Sequence, residues 1–195
     1  MMSGKRIILG SGSPRRKELM QKAGFSVDVM VSNADENFDE NMELSDVAEM
    51  LAVRKAQDLL AHIGSDDVLV TADSVVILNG KIYNKPADRS EAISMLTELS
   101  GQAHEVITGV CICFEHKLQS FSEKTIVSFS ELTESEIQDY VDQCAPYDKA
   151  GAYGIQEWIG WAKIEKIDGS FANVMGLPVE KVYKILVDYC NVQIK

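Results

Sequence analysis

Asn79-Gly80 limits the folds open to this chain more than any other dipeptide in it. It lies between the apolar run Val75–Leu78 and the segment Lys81–Tyr83, and Asn-Gly suits the positive-φ positions of a two-residue turn, so a tight antiparallel hairpin is predicted there. The segments before it alternate in another way. Ile7 to Gly10 reads as a short buried strand, followed by the loop Ser11-Gly12-Ser13 and a helix with Ser13 as N-cap, Pro14 in first position and Gly24 as its stop. Leu19, Met20 and Ala23 give that helix an apolar stripe. Val27 to Val31 reads as a strand, Asp35 to Glu43 as an acidic loop, Ser45 to Ile63 as a long amphipathic helix and Val68 to Ala72 as a buried strand.

Beyond the hairpin, Asp88-x-x-Glu91 opens a helix that ends near Gly101, and Thr133-x-x-Glu136 caps another that runs to about Gln143. Between them, Glu105 to Phe114 and Leu118 to Phe129 read as long antiparallel strands. Pro146 to Gly160 is Gly-rich and irregular, Trp161 to Ile167 reads as a strand, and Val179 to Tyr189 as a final amphipathic helix. Together these segments describe a mixed α/β protein with parallel and antiparallel pairing. No repeat, low-complexity tract or linker divides the chain.

At 195 residues the chain fits one generous domain or two small lobes sharing a core. No run approaches the roughly 18 apolar residues of a membrane span. The basic start, Met1 to Arg6, leads only into Ile7-Ile8-Leu9, short of the ~7–15 apolar residues of a signal peptide. Cys111, Cys113, Cys144 and Cys190 lack the spacing of a zinc site or disulfide framework and read as reduced thiols. These features point to a cytoplasmic protein with no membrane partner. The net charge of −11 has the wrong sign for a nucleic-acid partner. If the ligand is a polyanion, the positive charge must be local and a metal must help.

Such local charge is present. In Gly10-Ser11-Gly12-Ser13-Pro14-Arg15-Arg16 a strand passes through small residues into a helix N-terminus, where unpaired N–H groups and the helix dipole attract anions. Arg15 and Arg16 oppose that dipole, so something other than helix stability places them, and a phosphate would do; a capped surface helix with solvated arginines is the plainer reading. Asp73 follows the strand Val68–Ala72, at the carboxyl end where α/β sheets bind ligands. There it could hold Mg²⁺ or deprotonate water, or simply cap the turn. Asp35 and Glu36 form a second carboxylate pair, otherwise a solvated loop. Lys55 and Lys85 are candidate phosphate cations, and Gln156 carries an amide suited to a base edge.

In this order the motifs resemble those of the Maf family of nucleotide pyrophosphatases, from about Ile7 to Tyr183. They are Ser11-Gly12-Ser13-Pro14-Arg15-Arg16, Ala72-Asp73-Ser74-Val75-Val76, Lys85-Pro86, Leu99-Ser100-Gly101, Thr108-Gly109-Val110, Asp148 to Gln156, and Gly169-Ser170 through Pro178. The string Asp148 to Gln156 is similar to the branch acting on dTTP and UTP. The alternatives are a branch acting on 7-methyl-GTP or a non-canonical nucleotide, and a nucleotide-binding regulator of cell division. The resemblance implies a single domain over 1–195, two-lobed around a long mixed central sheet as in Maf and inosine triphosphate pyrophosphatases, with the active site in the cleft. It further implies hydrolysis of a nucleoside triphosphate to monophosphate and pyrophosphate with Mg²⁺ or Mn²⁺. Asp73 would be the general base and a metal ligand, Glu36 the second metal ligand with Asp35 as fallback. Ser11, Ser13, Arg15, Arg16, Lys55, Ser74, Lys85 and Gln156 would bind substrate, with Ser74 standing where the family motif has threonine. The family resemblance admits a homodimer, and no sequence feature requires one.

Overall fold

The computed structural model describes residues 5–39 and 41–192. In chain order its elements are β1 (Ile7–Leu9), α1 (Pro14–Lys22), β2 (Val27–Val29), α2 (Leu44–Leu59), β3 (Val68–Leu78), β4 (Lys81–Tyr83) and α3 (Arg89–Leu99). There follow β5 (Ala103–Phe114), β6 (Lys117–Phe129), α4 (Glu134–Cys144), α5 (Trp158–Ala162), β7 (Ile164–Asp168), α6 (Phe171–Met175) and α7 (Val179–Lys184). The fold is mixed α/β with a central mixed sheet, in the strand order β2-β1-β3-β5-β6-β7 and with β4 on β3. The chain separates into two compact units: one comprises the chain to Asp73, Thr108–Glu123 and the chain from Gly176, the other Ser74–Ile107 and Lys124–Met175.

In the first unit β1 lies parallel to both β2 and the opening of β3, with Ile8 opposite Asp28 and Leu69. Helix α2 seats Ala52, Ala56 and Leu59 on Ile8, Leu69, Cys111 and Cys113. Fully buried residues such as Ile8 and Leu69 each contribute roughly 1.5–3 kcal/mol. The helix comes so close because Gly109 has no side chain: a Cβ there would stand 2.2 Å from the backbone of Ala48 and Glu49. The hydroxyl of buried Thr71 donates to the Ala52 carbonyl at 2.7 Å, so its burial leaves no donor unpaired. The turn from β5 to β6 uses Glu115 and His116 at φ 50° and 62°.

In the second unit Asn79 and Gly80 take φ 51° and 74° and join β3 to β4 in the expected hairpin. Both predicted caps form: the Asp88 carboxylate accepts from the Glu91 N–H at 2.9 Å, and Thr133 and Glu136 make a reciprocal capping box. His104, Phe129 and Tyr153 pack edge to face in the interior, with ring centroids 4.9–5.5 Å apart.

Three elements depart from the sequence reading. Val68–Ala72 and Val75–Leu78 are one strand, β3, so Asp73 lies within it and not at its end. The reason is a change of partner: β1 accompanies β3 only to Val70, and β3 continues as the first arm of the hairpin. Trp161 belongs to α5 and the strand starts at Ile164, because Glu157 accepts backbone bonds from Gly160 and Trp161 and starts a helical turn. The last helix keeps α-geometry only to Lys184 and ends in a π turn, Ile185–Tyr189. All four cysteines are unbridged, and burial pushes the Cys111 thiol up to about 12. No helix among the described residues is long and apolar enough to cross a membrane.

Candidate active site

The first unit assembles its polar residues where β1 gives way to α1. Gly10 permits the turn, since a Cβ there would stand 2.5 Å from Thr71 Cγ2 and 2.8 Å from Leu59 Cδ1. Ser11 Oγ accepts from the Ser13 N–H at 3.3 Å and from Arg16 Nη1 at 3.1 Å. Ser13 Oγ accepts from the Arg16 N–H at 3.5 Å and caps α1. A hydroxyl has one donor and two acceptor positions, so these contacts use acceptors and leave each O–H able to donate to an anion.

Arg16 is more than a phosphate candidate. Its Nε donates to the Gly176 carbonyl at 2.7 Å and its Nη1 to the Ala72 carbonyl at 2.8 Å, so it ties the α1 N-terminus to β3 and to the chain before α7. Burial lowers its pKa, Asp73 and Glu36 oppose that shift, and Arg15 adds to it. The two carboxylates and the second arginine therefore act on it electrostatically.

Glu36, Lys55 and Asp73 converge. Lys55 Nζ, on α2, lies 2.7 Å from Glu36 Oε1 and 2.5 Å from Asp73 Oδ1. The side chains of Lys55 and Asp73 are 13% and 15% exposed, against 55% for Glu36. Glu36 reaches Lys55 because its loop is fastened to α2. Arg54 Nη1 donates to the carbonyls of Asp35 and Asn37, and Asp58 accepts from the Ser32 hydroxyl and the Asn33 N–H. Arg54 and Asp58 escaped the sequence reading, since an i,i+4 pair of opposite charges looks like an ordinary solvated helix face. Asp35, the fallback ligand, is engaged in its own turn: it accepts from the Asn37 N–H at 3.0 Å, which lowers its pKa.

Two carboxylates on one ammonium leave this trio with a negative charge in excess. A divalent cation of the Mg²⁺ type fits that donor set, because such ions take one or two protein carboxylates and complete their shell with water and phosphate oxygens. No group of three or more His, Cys, Asp or Glu suited to a metal occurs among the described residues.

Ser74, Lys85 and Gln156 belong to the second unit. Ser74 follows Asp73 on β3, so by strand alternation the two side chains leave opposite faces. Lys85 is exposed beyond β4. Gln156 is half-buried, and its Oε1 is buried with no hydrogen-bond partner.

These features define an α/β protein that presents cations and hydroxyls at a helix N-terminus beside a lysine-bridged carboxylate pair, a class suited to an anionic, metal-associated ligand. The chain belongs to the Maf-like protein family, whose model matches residues 6–189. It is 42% identical over 191 residues to the dTTP/UTP pyrophosphatase of Christiangramia forsetii, covering 98% of this chain and 97% of that one. It is 45% identical over 184 residues to the protein of that name from Bacteroides fragilis, covering 93% and 94%. Among solved structures, the Staphylococcus aureus Ham1 protein is similar with a TM-score of 0.45 at 13% identity, covering 64% of this chain and 72% of that one, a likeness too slight to bear on the site.

Proposed function

We propose that the chain, acting as one Maf-like domain, hydrolyses dTTP and UTP to the nucleoside monophosphate and pyrophosphate. The Glu36–Lys55–Asp73 trio carries this reading: mere binding of an anion calls for cations, whereas here two carboxylates are held at the cation. The substrate comes from the names of relatives that are 42% and 45% identical over nearly the whole chain.

Asp73 takes a proton from water, and the water oxygen attacks the α-phosphorus in line. A new bond from phosphorus to that oxygen forms, the bond to the bridging oxygen breaks, and pyrophosphate leaves. Positioning and charge neutralisation do most of the work in such a loose transition state. A carboxylate 4 Å from a phosphate charge is repelled by about 1–4 kcal/mol, depending on the effective dielectric. Lys55 offsets that repulsion, and with two N–H donors on Glu36 and Asp73 its ammonium keeps a third for a phosphate oxygen. Arg15 and the Ser11 and Ser13 hydroxyls hold the remaining phosphate oxygens, with Arg16 securing their frame. Mg²⁺ or Mn²⁺ held by Glu36 and Asp73 would supply the rest of the charge neutralisation. Lys85 adds a cation for phosphate, and Ser74 and Gln156 meet the nucleoside.

Hydrolysis of dTTP in heavy-oxygen water tests the direction of attack. The label is expected in the monophosphate; label in pyrophosphate, or release of orthophosphate, would contradict it.

A further inference from the structure

The loop that ends in Gln156 is held by a network that the hydrolysis does not use. Tyr140, buried on α4, accepts from the Gly154 N–H at 3.0 Å and donates to Glu157 Oε2. Burial raises the pKa of this phenol, so it keeps the proton that it donates. Lys149, whose side chain is 9% exposed, places Nζ 3.2 Å from Glu157 Oε1 and 2.7 Å from Asp148 Oδ1. Glu157 is therefore bound through both oxygens, one by a buried phenol and one by a buried ammonium. The charge of Lys149 is thus committed to carboxylates.

Gly154 connects this clamp to Gln156. A Cβ on Gly154 would stand 2.8 Å from Glu157 Cδ and 2.9 Å from Gln156 Nε2, so the carboxylate and the amide lie against the same bare Cα. The main chain is fixed as well, with the Glu157 N–H on the Gly154 carbonyl and Trp161 Nε1 on the Gln156 carbonyl, each at 3.0 Å. Gln156 Oε1 remains a buried acceptor without a donor. Leaving such an atom unpaired is costly, and the cost is recovered only when a donor arrives. Uracil and thymine carry an imide N–H at ring position 3, where cytosine has a lone pair.

We propose that Glu157, clamped by Tyr140 and Lys149, is a positioning residue that holds the Gln156 amide with Oε1 toward the base, and thereby sets the preference for uracil and thymine over cytosine. The proposal rests on the reading that Gln156 meets the base. A site built to accept an N–H penalises a base that lacks one, because the acceptor then stays unpaired.

The test is kcat and KM for UTP and CTP in wild type, Gln156→Ala, Tyr140→Phe, Glu157→Ala and Glu157→Gln, with thermal unfolding as the check on folding. Wild type should favour UTP, and Gln156→Ala should lose that preference. Tyr140→Phe and Glu157→Ala should each reduce the UTP-to-CTP ratio about tenfold through KM, with kcat for UTP changed little. Glu157→Gln, which keeps an oxygen for Tyr140, should restore most of the ratio. If Glu157→Ala does not fold, Tyr140→Phe carries the test, since it removes a single oxygen. A wild-type ratio in Tyr140→Phe, alongside its loss in Gln156→Ala, would overturn the positioning role and leave the base contact standing. A wild-type ratio in Gln156→Ala would instead overturn the base contact itself.

Discussion

Glu36–Lys55–Asp73 and Tyr140–Glu157–Lys149 both join carboxylate to lysine, and they differ in how far their atoms are already satisfied. In the first, one ammonium is shared by two carboxylates, and Glu36 is 55% exposed on a loop fastened by Arg54 and Asp58. In the second, Lys149 likewise bridges two carboxylates, Asp148 and Glu157, but both oxygens of Glu157 are occupied and the lysine side chain is 9% exposed. On the proposed reading the first set exchanges partners when a phosphate and a cation arrive. The second is a frame. A lysine–carboxylate set whose groups retain hydrogen-bonding capacity is suited to chemistry, and one whose carboxylate is saturated through both oxygens is suited to scaffolding.

Paired lysine substitutions should separate the two. Lys55→Met should lower turnover of dTTP by on the order of 10²–10³-fold, as loss of one positioned donor does. Its unfolding free energy should fall as well, by up to about 3 kcal/mol, because Asp73, whose side chain is 15% exposed, loses its ammonium. Lys149→Met should cost about as much stability, because it leaves Asp148 and Glu157 without their ammonium, with a far smaller loss of turnover. Denaturant unfolding together with steady-state rates reads both, and equal losses of turnover in the two variants would erase the distinction.

A smaller effect comes from pH. Burial pulls His104 down from 6.5 to about 4, while its Nε2 stays 2.8 Å from the Tyr153 hydroxyl. The unfolded chain therefore binds this proton more readily than the folded one. The stability from neutral His104 is complete above the unfolded value and declines as pH falls from 6.5 toward 4, by up to about 3 kcal/mol. Unfolding measured across that range should show this slope, and His104→Gln should flatten it. The smallest effect is expected from Ser74→Thr, which supplies the methyl group of the family motif: the ratio of dTTP to UTP turnover should shift by less than about tenfold.

Legibility in the sequence followed the range of the interaction. The Asn79-Gly80 turn, the Pro14 start and the Thr133 capping box are decided within four residues, and each formed as read. Asp73 was identified as a residue, but its place inside β3 depends on where β1 stops accompanying that strand. The convergence of Glu36 with Lys55 depends on Arg54 and Asp58 fastening a loop whose Asp35 and Asn33 lie 19 and 25 residues upstream of them. Arg16 bonds a carbonyl 160 residues away, and Tyr140 meets Glu157 across 17. No local pattern announces such contacts, and an arginine or tyrosine on a short helix reads as a surface residue until its distant partner is in place.

The most direct test of the account is pyrophosphate release from dTTP and UTP with Mg²⁺ or Mn²⁺ by wild type and Asp73→Asn. Loss of the base should lower turnover by about 10²–10⁴-fold while nucleotide binding and the unfolding midpoint stay near wild type. Turnover by Asp73→Asn at the wild-type rate would contradict the assignment of Asp73 and, with it, the role given to the lysine-bridged carboxylates.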